Sequence, residues 1–130
     1  MNKPMSKLLI TLIVVFGLGS NAYAGCGKAK LTGPWDITFS DGNTCVLRFT
    51  SSGEVNVDKS ICYDPFLGAT APDSGSFATT KECTITVSFV QQGVAIEMSG
   101  QFSLDRNLAS GGYVLPDFAI KGSFTMIRLP

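Results

Sequence analysis

Four cysteines are the side chains of this 130-residue sequence with the widest range of chemistry open to them. A cysteine thiolate can act as a nucleophile, hold a metal ion or form a disulfide. No two of these cysteines are spaced as CxxC, and the sequence has no histidine to complete a zinc site or serve as a general base. An even number in a short chain instead predicts two disulfides among Cys26, Cys45, Cys62 and Cys83.

Four cysteines allow three pairings, and their spacing alone does not choose among them. We favour a disulfide between Cys45 and Cys62, because a turn at Gly53 would fold their segments back together. That choice leaves Cys26 to pair with Cys83. Each disulfide is expected to stabilise the fold by about 2–4 kcal/mol.

Acidic side chains are the second set of candidates for chemistry. Glu54, Asp58, Asp64 and Asp73 fall close together in the sequence, but they lack the alternating oxygen-ligand spacing of an EF-hand calcium loop. No serine or cysteine has a base near it in sequence that would activate it. We therefore predict no catalytic residue, no metal site and no cofactor. An enzyme that uses carboxylates alone is the remaining catalytic alternative.

Residues 1–24 have the organisation of a secretory signal peptide. Two lysines precede an apolar run over residues 8–19, and Ala24 ends the predicted cleavage site. The run is too short to span a bilayer, which needs about 20 residues. Cleavage would leave residues 25–130 as one periplasmic or secreted domain without a transmembrane segment. The alternative is a lipoprotein anchored at Cys26, which would leave an odd number of cysteines in an oxidising compartment.

The mature domain is expected to carry a small negative net charge. The sequence has ten Lys and Arg and ten Asp and Glu, and the leader contains two of the lysines, Lys3 and Lys7. No run of basic residues is left, so nucleic acid and anionic lipid surfaces are not expected partners. The partner classes that fit are a small hydrophobic ligand and an envelope or secreted protein.

Short stretches of alternating apolar and polar residues recur along the mature chain, and no stretch keeps the periodicity of an amphipathic helix. Turn residues such as Gly, Asn and Asp separate them. The pattern predicts an all-β domain, an antiparallel up-and-down barrel of about eight short strands. The predicted strands lie at 35–39, 45–49, 55–57, around 77, 85–89, 94–104, 113–115 and 118–126.

The one long predicted loop runs from residue 58 to residue 75 and contains prolines, glycine and several apolar residues. Long loops in a compact domain are either functional or disordered, and exposed apolar residues in them suggest a lid or a partner-binding edge. Tyr63, Phe66 and Leu67 are therefore the candidate residues for binding a ligand or partner. The alternative is that the loop only covers an open barrel end, pinned there by Cys62.

Two residues far apart in the sequence favour a barrel over a sandwich. Trp35 ends a GxW motif that begins at Gly33, and Arg128 has the inward parity of the last strand. In this pairing the chain resembles the calycin superfamily of lipocalins, fatty-acid-binding proteins and avidins. The resemblance implies that Trp35 packs under Arg128 and closes one end of the barrel, and a tryptophan face is the best cation–π partner for an arginine.

The chain is also similar to bacterial periplasmic inhibitors of serralysin-type metalloproteases. The similarity lies in its length, the GxW motif and the order and rough spacing of Trp35, Cys45 and Cys62. It implies a protease-inhibiting barrel that threads an N-terminal segment into the protease cleft. Here that segment would be residues 25–31, which a disulfide at Cys26 would tie down.

The interior of so small a barrel can be filled by side chains or hold one small ligand. Many inward aromatic residues favour a filled interior, whereas Gly100 and Gly122 at inward positions would leave space. The leading interpretation is an exported, non-enzymatic binding module. The alternatives are a protease-inhibitor-like barrel and a structural envelope protein without a ligand.

Overall fold

The computed structural model describes residues 26–130, so the predicted signal peptide lies outside the described residues. This part of the chain forms nine strands and three short 3-10 helices. The strands are β1 (Gly33–Phe39), β2 (Thr44–Phe49), β3 (Ile61–Asp64), β4 (Gly68–Thr70), β5 (Ser74–Thr79), β6 (Thr84–Gln91), β7 (Val94–Phe102), β8 (Leu108–Leu115) and β9 (Ile120–Arg128). The 3-10 helices lie at Lys28–Leu31, Val57–Lys59 and Pro116–Phe118. Within residues 26–130, no helix is both long enough and apolar enough to pass through a bilayer.

The strands form one antiparallel sheet in the order β4-β3-β2-β1-β9-β8-β7-β6-β5. Chain neighbours other than β4 and β5 pair with each other, and β1 also pairs with β9, so the sheet curls around on itself. The ladder does not continue from β4 to β5. The predicted all-β antiparallel architecture is confirmed. The predicted eight strands and closed barrel are wrong, because the described chain has nine strands in an open half-barrel.

The extra strands lie in the segment predicted as a loop. Cys62 pairs with Cys45 across β2 and β3, and Gly68, in the left-handed region at φ 87°, begins β4. Proline, glycine and aspartate in this segment form the turn of a β3–β4 hairpin, and our prediction extended these turn signals over the flanking strand residues. Residues 55–57, predicted as a strand, make only an isolated bridge at Val55 before a 3-10 helix.

The break between β4 and β5 has a cause in the local sequence. β4 is three residues long, and Pro72, two positions after its end, has no backbone N–H with which to extend a ladder. Residues 53–55 close part of this gap, because Val55 N donates to Gly75 O at 3.0 Å and Phe77 N to Gly53 O at 2.8 Å. The half-barrel is therefore better closed at one end than at the other.

The half-barrel has a closed end and an open end, each formed by different connections. The closed end holds residues 26–32 and the connections 50–60, 80–83 and 103–107. The open end holds the connections 40–43, 65–67, 71–73, 92–93 and 116–119. At the open end, the side chain of Gln91 on β6 reaches β4. Its Nε2 donates a hydrogen bond to Thr70 O at 3.3 Å.

Aromatic rings fill the interior between these ends. Phe49 stacks on Phe77 with centroids 4.3 Å apart, and Phe39 meets the edge of Tyr113 at 5.1 Å. The two inward glycines expected to leave space do not leave it. A Cβ on Gly100 would lie 2.8 Å from Phe124 Cζ, and a Cβ on Gly122 would lie 2.5 Å from Tyr113 Cε1.

Three apolar residues of the predicted strands 94–104 and 118–126 are exposed. Leu104 is 93% exposed because β7 ends at Phe102, two residues earlier. Phe118 is 58% exposed in a 3-10 helix, and Ile120 is 47% exposed as the first residue of β9. Leu104 and Phe118 lie outside the strands, where parity no longer fixes the side-chain direction, and Ile120 has the inward parity but stands at the outer end of β9.

Candidate functional site

Trp35 is the centre of the closed end. It is fully buried, and its Nε1 donates to the Leu31 carbonyl at 3.0 Å. Its ring lies 5.5 Å from that of Phe102 and 6.3 Å from that of Phe49. The tryptophan thereby joins β1, the N-terminal 3-10 helix and the core.

Arg128 packs on the ring of Trp35, with its Cζ 4.6 Å from the ring centroid. Its guanidinium donates to the carbonyls of Lys30 at 2.9 Å and Thr32 at 3.3 Å, and to Asn107 Oδ1 at 3.1 Å. Burial, with a smaller contribution from Arg106, lowers the pKa of Arg128, but a guanidinium stays protonated. These contacts tie together three separate segments of the closed end.

The predicted two disulfides are present, and they join Cys26 to Cys83 and Cys45 to Cys62. These are the pairs that we favoured from the sequence. The Cys26 sulfur is bonded to Cys83, so it is not a thiol that could carry a lipid. Two disulfides favour an oxidising, exported location.

The N-terminal segment is packed onto the closed end rather than projecting from it. Cys26 and Leu31 are both fully buried, and Arg128 holds the carbonyl of Lys30. Lys30 N donates to Gly27 O at 3.0 Å within the same segment. Residues 26–31 are therefore held by a disulfide, by burial and by hydrogen bonds.

The candidate residues Tyr63, Phe66 and Leu67 lie together on the β3–β4 hairpin at the open end. They are 52%, 93% and 71% exposed, respectively. Asp64 Oδ1 accepts hydrogen bonds from the backbone N–H groups of Phe66 at 2.7 Å and Leu67 at 3.0 Å. This Asx turn fixes the hairpin tip, so that both apolar side chains are presented to solvent from an ordered backbone.

A cavity of about 90 Å³ lies behind this hairpin and is lined by residues of every strand except β5 and β9. Of the three candidate residues, Tyr63 lines it. Ligand pockets for drug-sized molecules are typically about 300–1,000 Å³, so this cavity has room for a side chain or a small fragment. The cavity is lined by Phe39, Asp41, Asn43, Cys45, Cys62, Tyr63, Asp64, Thr70, Gln91, Gln92, Ile96, Tyr113 and Leu115.

Gln91 is the cavity residue with an unmet hydrogen-bonding requirement. Its Nε2 donates to both the carbonyl and the Oγ1 of Thr70. Its Oε1 is buried. Among the buried side-chain nitrogen and oxygen atoms of residues 26–130, it is the one that lacks a hydrogen-bond partner. A buried acceptor without a partner is costly, which makes this atom a natural contact for a donor entering the cavity.

Tyr113 and Asp41 form a second polar element of the cavity. Burial first, and then the charge of Asp41 and a hydrogen bond to it, raises the pKa of Tyr113, while a hydrogen bond with Ser40 opposes the rise. Asp41 also accepts from the Asn43 backbone N–H at 2.9 Å and from Asn43 Nδ2 at 3.1 Å. The carboxylate is thus held in place at the cavity wall.

A wider depression of about 390 Å³ lies on β5, β6 and β7, but it is more open to solvent. It is lined by serines and by apolar residues that include Phe89 and Ile96, with Glu97 as its charged residue. Groups of three or more His, Cys, Asp or Glu that could hold a metal ion are absent from the described residues. The smaller cavity behind the hairpin, with its buried acceptor, is therefore the candidate site.

Sequence reasoning found the hairpin residues but missed Gln91, Thr70, Asp41 and Tyr113. Gln91 and Thr70 are 21 residues apart and meet only because the sheet is open between β4 and β5. Tyr113 could have been found, because it shares the inward parity of its strand. No signal in the sequence points to the other three.

Comparison with known proteins adds no relative. Neither a family model, nor a curated protein, nor a solved structure matches the chain. The calycin-like and inhibitor-like resemblances stay predictions.

Proposed function

We propose that this chain is an exported, non-enzymatic binding module that docks a protein partner at the open end of its half-barrel. The observation that carries the proposal is the β3–β4 tip, where Phe66 and Leu67 are 93% and 71% exposed on an ordered turn. Aromatic side chains are enriched at the centres of protein interfaces, where they lose little conformational entropy on binding. A tip held by Asp64 lowers that entropic cost further.

The size of the interior favours a protein over a carried small molecule. The cavity of about 90 Å³ is several-fold below the range of about 300–1,000 Å³ that drug-sized ligands occupy. Phe124 and Tyr113 fill the space beside the inward glycines that a larger ligand would need. The hydrophobic contact surface is instead on the outside, at the hairpin and the nearby connections.

The opposite side of the open end adds to this apolar surface. Phe118 and Ile120, in and after the β8–β9 connection, are 58% and 47% exposed. Tyr63 from the hairpin and Leu115 from β8 both line the cavity. A partner that covered the open end would bury apolar side chains from both.

A second candidate function is carriage of a small ligand in the cavity. The buried, unpartnered Oε1 of Gln91 favours it, because such a ligand could supply the missing donor. The hypothesis of a protease inhibitor is a special case of the leading proposal, in which the partner is a protease. Here it would act through the hairpin, since residues 26–31 are packed on the closed end.

Site-specific photo-cross-linking tests the leading proposal. The photo-reactive residue p-benzoylphenylalanine replaces Phe66 in one variant and Leu104 in a matched control, since both side chains are 93% exposed but lie at opposite ends. We expect one discrete protein adduct at position 66 in the exported protein fraction of the source cells, and none of comparable yield at position 104.

Competition makes the cross-linking result specific. Excess unlabelled wild-type protein should abolish the adduct, whereas the Phe66→Ser/Leu67→Ser double variant should not. Equal adduct patterns at positions 66 and 104, or equal competition by both proteins, would overturn the proposal. Co-purification of a small molecule that occupies the cavity, without any adduct, would favour the second candidate.

A further inference from the structure

Charged residues are distributed unevenly between the open end and the closed end of the half-barrel. The five connections of the open end, together with the last residue of β3, carry Asp41, Asp64, Asp73 and Asp117 and no lysine or arginine within residues 26–130. Lys121, the second residue of β9, also lies toward this end, where it pairs with Val114, but it does not line the cavity. The closed end carries Lys28, Lys30, Lys59, Lys81 and Arg106 against Glu54, Asp58, Glu82 and Asp105, with Arg128 at the end of β9.

This distribution gives the open end a negative potential of its own. Fields of one sign that converge on a cleft with low-dielectric walls attract ions of the opposite charge and raise their rate of association. Two of the four aspartates, Asp41 and Asp64, line the cavity directly. A carboxylate has about four lone-pair sites, so each retains acceptor capacity beyond its hydrogen bonds within its own turn.

The uncharged residues that line the cavity also favour the binding of a cation. Gln91 Oε1 is a buried acceptor without a partner, and the rings of Phe39, Tyr63 and Tyr113 also line the cavity. An aromatic face attracts an ammonium or guanidinium group within about 6 Å of its centroid. At the closed end of the same molecule, a cation binds in this way. The Cζ of Arg128 lies 4.6 Å from the centroid of the Trp35 ring, and the guanidinium donates hydrogen bonds to carbonyl oxygens.

We propose that the cavity of the open end receives a cationic side chain of the protein partner, the ammonium of a lysine or the guanidinium of an arginine. The inference rests on the proposed function, because it identifies what the docked partner inserts behind the hairpin. Phe66 and Leu67 then contact the apolar residues that flank this side chain. The volume of about 90 Å³ suits a single side chain rather than a whole drug-sized ligand.

Titration with single amino-acid derivatives tests the chemistry of the cavity directly. N-acetyl-lysine amide and N-acetyl-arginine amide are added to the purified protein with both disulfides formed, and N-acetyl-norleucine amide is the neutral control. We expect the cationic probes to shift the NMR signals of the Gln91 side-chain amide and the Tyr113 ring, with a Kd of about millimolar. The shifts should weaken between about 0.05 M and about 0.5 M salt, because the charges are then screened.

Conservative variants identify the groups that bind the cation. Asp41→Asn/Asp64→Asn keeps an oxygen to accept the turn hydrogen bonds, and we expect a loss of affinity of about fivefold per carboxylate. Gln91→Glu should bind the lysine probe more tightly. Asp105→Asn, in a turn of the closed end, is the matched control and should bind as wild-type does. Equal binding of the norleucine probe, or no loss in the double variant, would overturn the inference.

The two proposals fail in different ways. If the adduct at position 66 forms equally well in the Asp41→Asn/Asp64→Asn background, the partner docks without a cation and only this inference is overturned. If no adduct forms at position 66 but the lysine probe binds, the proposed protein docking is overturned while the preference of the cavity for a cation stands. A weaker adduct in the double variant, together with binding of the cationic probes, supports both.

Discussion

The two ends of this half-barrel use the same kinds of side chain, but within residues 26–130 a cation of the chain itself lies on an aromatic ring at the closed end only. At the closed end an arginine lies on a tryptophan ring, and its donors meet oxygen atoms of two other segments, residues 26–32 and residues 103–107. At the open end aromatic rings, carboxylates and a buried amide oxygen surround a cavity without such a cation. The difference separates residues that hold the fold from residues that are available to a partner. Function is therefore expected at the open end.

Replacing one aromatic residue at each end tests this division most strongly. Trp35→Ala should lower the free energy of unfolding by about 3–5 kcal/mol, because it removes a fully buried ring and the support for Arg128. Phe66→Ala should change it by less than about 0.5 kcal/mol, because that ring is 93% exposed. Urea denaturation followed by circular dichroism measures both. Similar losses in the two variants would show that the hairpin tip also stabilises the fold.

The two disulfides give a smaller contrast in stability and a clear one in binding. The Cys26–Cys83 bond closes a separation of 57 residues and the Cys45–Cys62 bond one of 17. The chain-entropy model then predicts losses of about 4 and about 3 kcal/mol when each pair is changed to serine. Only the Cys45→Ser/Cys62→Ser variant should also weaken binding of the lysine probe, because only that disulfide lines the cavity. Parallel denaturation and NMR titration would reveal an unexpected effect of the Cys26–Cys83 bond on the cavity.

The smallest expected effect is a pH dependence that arises at the open end. Burial raises the pKa of Tyr113 above its ordinary value of 10.0, so folding favours the protonated phenol. Its contribution to stability is therefore complete below pH 10.0 and is lost as the pH rises through the pKa of the folded state. The stability advantage of wild-type over Tyr113→Phe should shrink between about pH 8 and about pH 11. A constant difference would mean that Tyr113 titrates alike in both states.

Local patterns were enough to predict the parts of the molecule that depend on parity along a strand. Trp35 and Arg128 could be assigned to one face of their strands, and the structure places them in contact. The favoured disulfide between Cys45 and Cys62 followed from a turn that brings neighbouring segments together, and these residues are direct partners in the β2–β3 ladder. The disulfide depends on short-range geometry, which the sequence carries, whereas the contact between Trp35 and Arg128, far apart in the sequence, was expected from the calycin resemblance.

The open end could not be predicted in the same way. Whether residues 61–70 form a loop or a short hairpin depends on tertiary pairing with β2, which overrides the local turn signals. The cavity arises because β4 stops before it can pair with β5, and Gln91 then reaches Thr70 across the gap. No periodicity in a single sequence encodes where a ladder fails to continue. The residues that line the gap were missed for this reason.

The Cys26–Cys83 bond also determines how the described chain, residues 26–130, is presented when it is held at either of its ends. Cys26 is fixed at the closed end, and β9 runs from the open end to the closed end, so residues 129–130 leave the fold there as well. A bead, a fusion partner or a surface joined through either of these positions would lie behind the half-barrel. The hairpin and the acidic cavity would face away from the point of attachment, toward the solution from which a partner arrives.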